Sequence, residues 1–285
     1  MTYALPFDWG ARTYVMGIVN VTPDSFSGDG LESQGQTGEN RGQDGGADVV
    51  AAAVARALSM VAAGADLIDV GGESTRPGGT PVGEAVELAR VVPVVRALAA
   101  VLPASVPISI DTYKAGVAAA ALEAGACVVN DVWALQADPA MAGVVARAGA
   151  PVVLMHNQHG MEYRDLVPDV IAALRERVET AVAAGIARER IIVDPGIGFG
   201  KTAAHNLELI DRLHELRALG RPILLGTSRK RFIGRILDDA PPEERLEGTA
   251  AAVAIGIARG ADIVRGHDVR PLVKVARVVD AIVRR

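Results

Sequence analysis

Polar residues suited to ligand chemistry fall at regular places in this chain. Asn20, Asp111, Asn130 with Asp131, His156, Asp194, Ser228-Arg229-Lys230, and Arg265 with His267 each end or follow a short β-branched or aliphatic run. Seven such runs carry hydrogen-bonding or charged groups at their C-terminal ends. Lys230, Arg265, Arg229 and, on a separate loop, Arg76 suit an anionic group such as a diphosphate, because cationic N–H groups make charge-assisted bonds to phosphate oxygens. Asp111 and Asp194 suit the opposite kind of surface. An ionised carboxylate only accepts, so it matches a ligand edge rich in N–H donors. A molecule that joins a donor-rich heterocycle to a diphosphate uses both sets.

A single Asp or Asn at such a place has a plainer reading, as the N-cap of the helix that follows. For Asp131 and Asp268 that reading is preferred. Capping does not account for the whole set, since Lys230, Arg265, His156 and His267 do not cap N-termini.

Other motifs carry less than they promise. Gly196–Thr202 reads GIGFGKT and ends like a phosphate-binding loop, but the pattern G-x-x-x-x-G-K-[ST] needs a glycine where the chain has Pro195. The five histidines lack the H-E-x-x-H spacing, and a single cysteine argues against a structural zinc site. His159, His205 and His214 are expected on the surface. Cys127 lies in an apolar run and is read as a small buried hydrophobe rather than a nucleophile. No Ser-His-Asp or Cys-His arrangement is visible.

The elements that must position these residues repeat one phrase. An Ala-rich amphipathic stretch ends in glycine and a β-branched run begins at once, as at Gly64, Gly125, Gly149, Gly220 and Gly260. A helix closing on a left-handed glycine and feeding a buried strand has this form. Eight strands are predicted: Tyr14–Val21, Leu67–Gly71, Ile108–Asp111, Val128–Asp131, Val152–His156, Ile191–Pro195, Ile223–Thr227 and Ile263–Gly266. Eight strand–helix units in 285 residues predict an α/β fold, a single (β/α)₈ barrel spanning residues 1–285. A doubly wound open sheet is the alternative, weakened because G-x-G-x-x-G is missing from the first strand–helix junction. In a barrel, the C-terminal strand ends form the active-site mouth. Half the residues are hydrophobic and 4% are aromatic, so the core must come from Ala, Val, Leu and Ile. Residues 28–48 have Leu31 as their one large apolar side chain. They are expected to form a long mobile loop, beginning at about residue 24, because they cannot bury enough surface to order themselves.

The net charge of −5 argues against a nucleic-acid partner. No uninterrupted apolar run is long enough to span a bilayer, and the first ten residues lack a leader-like pattern. A soluble cytoplasmic protein with no membrane partner is expected.

Longer motifs narrow the reading. Met16–Ser27 (MGIVNVTPDSFS) and Gly71–Gly78 (GGESTRPG) resemble the two signatures of the dihydropteroate synthase family of pterin-binding enzymes. ISIDTYK at 108–114, VNDV at 129–132, LMH at 154–156, DPGIGFGK at 194–201, SRK at 228–230 and RGHDV at 265–269 follow in that family's order. The resemblance runs from about Tyr14 to the C-terminus.

It implies a (β/α)₈ barrel with long mobile loops after strands 1 and 2. The implied reaction joins p-aminobenzoate to 6-hydroxymethyl-7,8-dihydropterin diphosphate in folate biosynthesis, with Mg²⁺ and release of pyrophosphate. By position, Asp111, Asn130, Met155, Asp194 and Lys230 would hold the pterin. Asn20, Thr75, Arg76, Arg265 and His267 would take the diphosphate, with Asn20 also near the metal. Phe26, Thr75, Pro77, Phe199 and Ser228 would frame p-aminobenzoate. Catalysis would rest on Asp111, Asp194, Lys230, Arg265 and His267, and the expected assembly is a homodimer. The chain departs from the family where Ser25–Gly30 reads SFSGDG, placing Gly28 at the usual acidic position and Asp29 next to it. Its loop to about Asp48 also looks longer than usual, and the segment Asn157–Tyr163 after His156 differs from the commonest pattern. The rival readings are a pterin-binding methyltransferase, a Schiff-base aldolase using Lys230, and a non-catalytic pterin-binding paralogue.

Overall fold

The computed structural model describes residues 5–22, 45–73 and 81–284. Its strands are β1 (Tyr14–Asn20), β2 (Leu67–Gly71), β3 (Ile108–Asp111), β4 (Val128–Asp131), β5 (Val152–Met155), β6 (Ile191–Asp194), β7 (Leu224–Leu225) and β8 (Ile263–Gly266). Between and after them lie the helices α1 (Gly45–Ala62), α2 (Glu84–Val101), α3 (Ala115–Ala124), α4 (Met141–Ala148) and α5 (Leu166–Ala183). The later helices are α6 (Ala203–Asp211), α7 (Arg231–Ile236), α8 (Leu246–Ala258) and α9 (Val269–Val283).

All ladders are parallel, in the order β6-β5-β4-β3-β2-β1-β8-β7. A parallel bridge from Val193 to Ile223 brings the two sheet ends together and all but closes the ring. This is the (β/α)₈ barrel expected, and the open-sheet alternative falls. β1, β5 and β6 each end one residue earlier than predicted, and β7 keeps two residues of a predicted five. The chain leaves the ladder there to form the mouth, and Pro195 has no N–H to extend β6.

The five predicted glycine switches hold, with φ of 102° at Gly64, 118° at Gly125, 63° at Gly149, 61° at Gly220 and 105° at Gly260. At Gly125 the reason is visible. The backbone N–H reaches back to the Ala121 and Leu122 carbonyls, a closure that a left-handed residue permits. One boundary is corrected. Gly45–Asp48, assigned to the long loop, is the first turn of α1. Burial of Ala53, Ala57 and Met60 anchors that helix, and Asp48 sits favourably at its positive N-terminal end. Residues 24–44 of the expected loop lie outside the described residues.

Side chains alternate across a strand, and the alternation sorts the core in two. Outward positions join the helices in one large cluster that includes Val15, Val19, Ile68, Val70, Ile108, Ile110, Val129, Leu154 and Val193. Inward positions at the N-terminal end of the barrel form a second cluster of Tyr14, Met16, Leu67, Val128, Val153, Ile192, Leu224 and Ile263. Leu5, Phe7 and Trp9 pack against it as a floor, and the Phe7 ring stacks on Tyr14 at 4.1 Å. Half-buried Cys127 belongs to this packing, close to its expected role.

Candidate active site

Following the inward positions toward the C-terminal ends leads from this apolar plug into polar residues. They are Asn20 on β1, Asp69 and Gly71 on β2, Ser109 and Asp111 on β3, Asn130 on β4, Met155 on β5 and Asp194 on β6. Arg265 on β8 joins them, and beyond the strand ends Lys230 lies beside Asp194 while Ser228 meets His267. Asp131, His156, Arg229 and Asp268 make their contacts elsewhere, with the Trp133 N–H, Lys201 and each other. The polar strand ends therefore form two groups, not the single set their shared location suggested.

Arg265 ties the inward group together. Its Nε donates to Asp69 Oδ2 at 2.6 Å and its Nη2 to Asp111 Oδ2 at 2.6 Å. Asp69 Oδ2 also accepts Asn130 Nδ2 at 3.0 Å. Asp69 is fully buried and was not among the sequence candidates. Its signal was available: a lone carboxylate inside the apolar strand LIDVG, at an inward position. Asp69 Oδ1, Asp111 Oδ1 and Ser109 Oγ are buried and make no hydrogen bond among the described residues. Buried polar atoms are nearly always paired, so the β2–β3 side of the barrel offers acceptors to a ligand's donors.

Asp194 and Lys230 face each other across the interior. Asp194 Oδ1 accepts the Gly196 N–H at 2.7 Å, closing a tight turn after β6. Burial raises its carboxyl above the usual range, opposed by the nearby Lys230 charge and the Gly196 bond. Burial lowers the Lys230 ammonium to about 8, with Asp194 pulling it back up. Lys230 Nζ donates to the Ile197 carbonyl and stands 4.7 Å from the centre of the Phe199 ring. Gly226 lies alongside it, where a Cβ would make only ordinary contact with Nζ at 3.9 Å. Asp111, like Asp194, is pushed up by burial against the pull of Arg265.

At the mouth, the Ser228 hydroxyl accepts the His267 backbone N–H at 3.1 Å and lies 3.0 Å from His267 Nδ1. Asn20 is half-buried at the end of β1, paired with Gly71. A Cβ on Gly71 would lie 3.7 Å from both Asn20 Oδ1 and Asp111 Oδ2, so these oxygens approach one point. Phe26, Thr75, Arg76 and Pro77 lie outside the described residues. The flanks of the 74–80 segment are tied together. Glu73 accepts the Val82 N–H at 3.2 Å, Lys114 Nζ at 2.6 Å and the Tyr113 hydroxyl at 2.8 Å.

The outward group does other work. Asp131 accepts the Trp133 and Leu135 N–H groups at 2.8 and 2.7 Å, so it caps the turn directly after β4 and not, as expected, the following helix α4, whose N-cap is Ala140. Asp268 stands at the N-cap of α9 but makes no capping bond with its side chain. It grips Arg229 through both oxygens, at 2.9 and 2.6 Å. This corrects the capping role expected for Asp268 and turns Arg229 away from the proposed anion group. His205, expected on the surface, is half-buried and completes a capping box with Thr202 at the start of α6.

A barrel whose inner layers run from an apolar floor to buried carboxylates and cations at the C-terminal mouth has the form of a (β/α)₈ enzyme. Residues 16–267 match the family model described as pterin binding enzyme, and the chain belongs to that family. It is 49% identical to a Bacillus subtilis dihydropteroate synthase, covering 96% of this chain and 90% of the relative. A Clostridium difficile dihydropteroate synthase, solved in the presence of pteroic acid, superposes with a TM-score of 0.89 at 47% identity. That match covers 98% of this chain and all of the other. A Xanthomonas albilineans dihydropteroate synthase with 4-aminobenzoic acid gives 0.86 at 44% identity, covering 96% and 94% of the two chains. Among the described residues no helix is long and apolar enough to cross a membrane.

Proposed function

We propose that this single barrel is a dihydropteroate synthase. It condenses 6-hydroxymethyl-7,8-dihydropterin diphosphate with p-aminobenzoate and releases 7,8-dihydropteroate and pyrophosphate. The observation that carries the reading is the barrel interior: Oδ1 atoms of Asp69 and Asp111 without partners among the described residues, beside Asn130, Asp194 and the cations Lys230 and Arg265. Acceptors of this kind match the N–H-rich edge of a pterin.

In this reading Asp111, Asn130, Asp194 and Lys230 orient the pterin, with Met155 against its ring. Arg265 and His267 face the diphosphate at the mouth. Among the described residues Arg265 Nη1 has no protein partner, so it can donate to phosphate while Nε and Nη2 stay on Asp69 and Asp111. Thr75 and Arg76 would add to this anion site. Phe199 and Ser228, with Phe26 and Pro77 from the loops, frame p-aminobenzoate. The Ser228–His267 contact supports a reading in which the two subsites are neighbours.

The chemistry suits these residue types. Breaking the C–O bond sends its electron pair to pyrophosphate and leaves positive charge on the pterin methylene. Cationic donors held at the mouth stabilise the leaving group as its charge develops. The aniline nitrogen then attacks the methylene carbon and loses a proton, so no strong general base is required. Among the described residues no group of three or more His, Cys, Asp or Glu forms a metal cage. The Asn20 oxygen above Gly71 still fits Mg²⁺, which takes few protein ligands when substrate phosphates and waters complete its shell. Bound there, Mg²⁺ would supply charge neutralisation to the diphosphate.

Purified protein mixed with Mg²⁺, the pterin diphosphate and p-aminobenzoate should yield pyrophosphate and dihydropteroate together. Pterin binding without either product would leave the paralogue reading instead. We place the reaction in the cytoplasm and expect a homodimer. The packed helices α8 and α9 both expose apolar side chains, among them Ile255, Val278 and Ile282. Sedimentation showing only a monomer at assay concentrations removes that assembly.

The buried charges also set a pH dependence. kcat/KM for the pterin diphosphate should rise as Asp111 ionises, with this acid limb displaced upward from the ordinary carboxylate range because burial raises the group. It should fall as pH rises through about 8, where Lys230 loses its proton and its attraction for Asp194. A profile that stays flat through pH 8 and beyond removes Lys230 from the reaction.

A further inference from the structure

The motif that mimics a phosphate-binding loop has a use of its own. Lys201 does not point toward an anion site. The residue is 5% exposed, and its Nζ lies 2.9 Å from His156 Nδ1. The same ammonium donates to the Phe199 carbonyl at 2.9 Å and reaches the His156 carbonyl at 3.5 Å. Its partners therefore come from two places, the end of β5 and the loop after β6.

That loop needs an anchor. Its backbone is left-handed at Gly196 (φ 72°), Gly198 (85°) and Gly200 (55°), so it follows no regular ladder. It lies hard against β5, where a Cβ on Gly196 would come within 1.9 Å of the His156 carbonyl oxygen. Its other face meets the site, where Ile197 offers its carbonyl to Lys230 and Phe199 its ring. Methionine would fill the volume of Lys201 without burying a charge, so packing alone does not call for lysine. Burying an ammonium is costly unless its donors are used. Burial lowers Lys201 to about 7 and, with the Lys201 charge, lowers His156 to about 3. His156 therefore stays neutral, and while Lys201 holds its proton the Nδ1 must accept, because an ammonium only donates.

We infer that Lys201 is a positioning residue for the reaction. By joining His156 to the Phe199 carbonyl, it sets where the Phe199 ring stands beside Lys230 and so shapes the p-aminobenzoate subsite. The inference rests on the function proposed above, and Lys201 itself touches no substrate.

The test compares Lys201→Met with the wild type, varying each substrate in turn. KM for p-aminobenzoate is expected to rise roughly tenfold, since a misplaced positioning group loosens the productive geometry. KM for the pterin diphosphate should move less. A lysine serving stability alone would lower Tm or the active fraction and leave both KM values in place. Should Lys201→Met fail to fold, His156→Leu removes the acceptor from the same pair and is expected to shift the same KM in the same direction. A folded, active variant of either kind with its p-aminobenzoate KM within about twofold of wild type overturns the inference. So does a crystal structure of either variant in which the Phe199 ring has not moved. A wild type that makes no dihydropteroate sinks the functional reading instead, and the crystal structure still decides the role of Lys201.

Discussion

Asp194→Asn is expected to fold and to lose about 2–4 kcal/mol of transition-state binding, measured as kcat/KM with the pterin diphosphate varied. The fold should survive because an amide oxygen can still accept the Gly196 N–H that closes the turn after β6. What it cannot reproduce is the charge opposite Lys230, or two acceptor oxygens. Asn presents one acceptor and one donor group where a donor-rich edge requires acceptance. The loss belongs in kcat/KM for the pterin and should be smaller when p-aminobenzoate is the varied substrate. A variant with wild-type kcat/KM for the pterin diphosphate excludes Asp194 from pterin recognition.

Arg265→Met is expected to damage stability and turnover together. Asp69 is 0% exposed and Asp111 4% exposed, and both give an oxygen to the same guanidinium. Removing it leaves two carboxylates in one dry layer without their cation, a loss of the kind that costs about 3–5 kcal/mol. In a chain of this size Tm should fall by roughly 10 °C. The stability deficit should shrink as pH falls. Without Arg265 the pull that opposes burial at Asp111 is gone, so that carboxyl rises further above its unfolded value, and the native state takes up a proton there more readily and is relieved at low pH. Adding Asp69→Asn to Arg265→Met should restore part of the lost Tm, because one stranded charge is gone. It should not restore turnover, since the diphosphate still lacks its donor. An Arg265→Met protein with unchanged Tm would show that the pair holds nothing, and unchanged turnover would remove Arg265 from the mechanism.

Much of this architecture was legible in the order of residues. Strand positions and helix-ending glycines are local properties. A β-branched run buries both faces of a parallel strand, and a helix closing at Gly125 needs positive φ whatever surrounds it. The alternation of side chains is also local. It already separates Asn130 from Asp131 within β4, although shared position at the strand ends hid that division.

What neighbouring residues could not determine is which groups meet. Arg265 and Asp69 are 196 positions apart and become partners because β8 and β2 flank β1 in the closed ring. Lys201 turns toward His156 because β5 and β6 are adjacent, which no motif comparison on GIGFGKT reveals. Asp268 prefers Arg229 to the end of α9 because the turns after β7 and β8 bring the two side chains together. The Gly45–Asp48 turn is helical because packing of the later residues of α1 carries the helix back through two glycines. By itself the sequence determined the repeating unit and the kinds of side chain at the mouth. Only the tertiary structure decided how those charges pair, because a buried charge takes its partner from whatever the closed barrel brings within hydrogen-bonding distance.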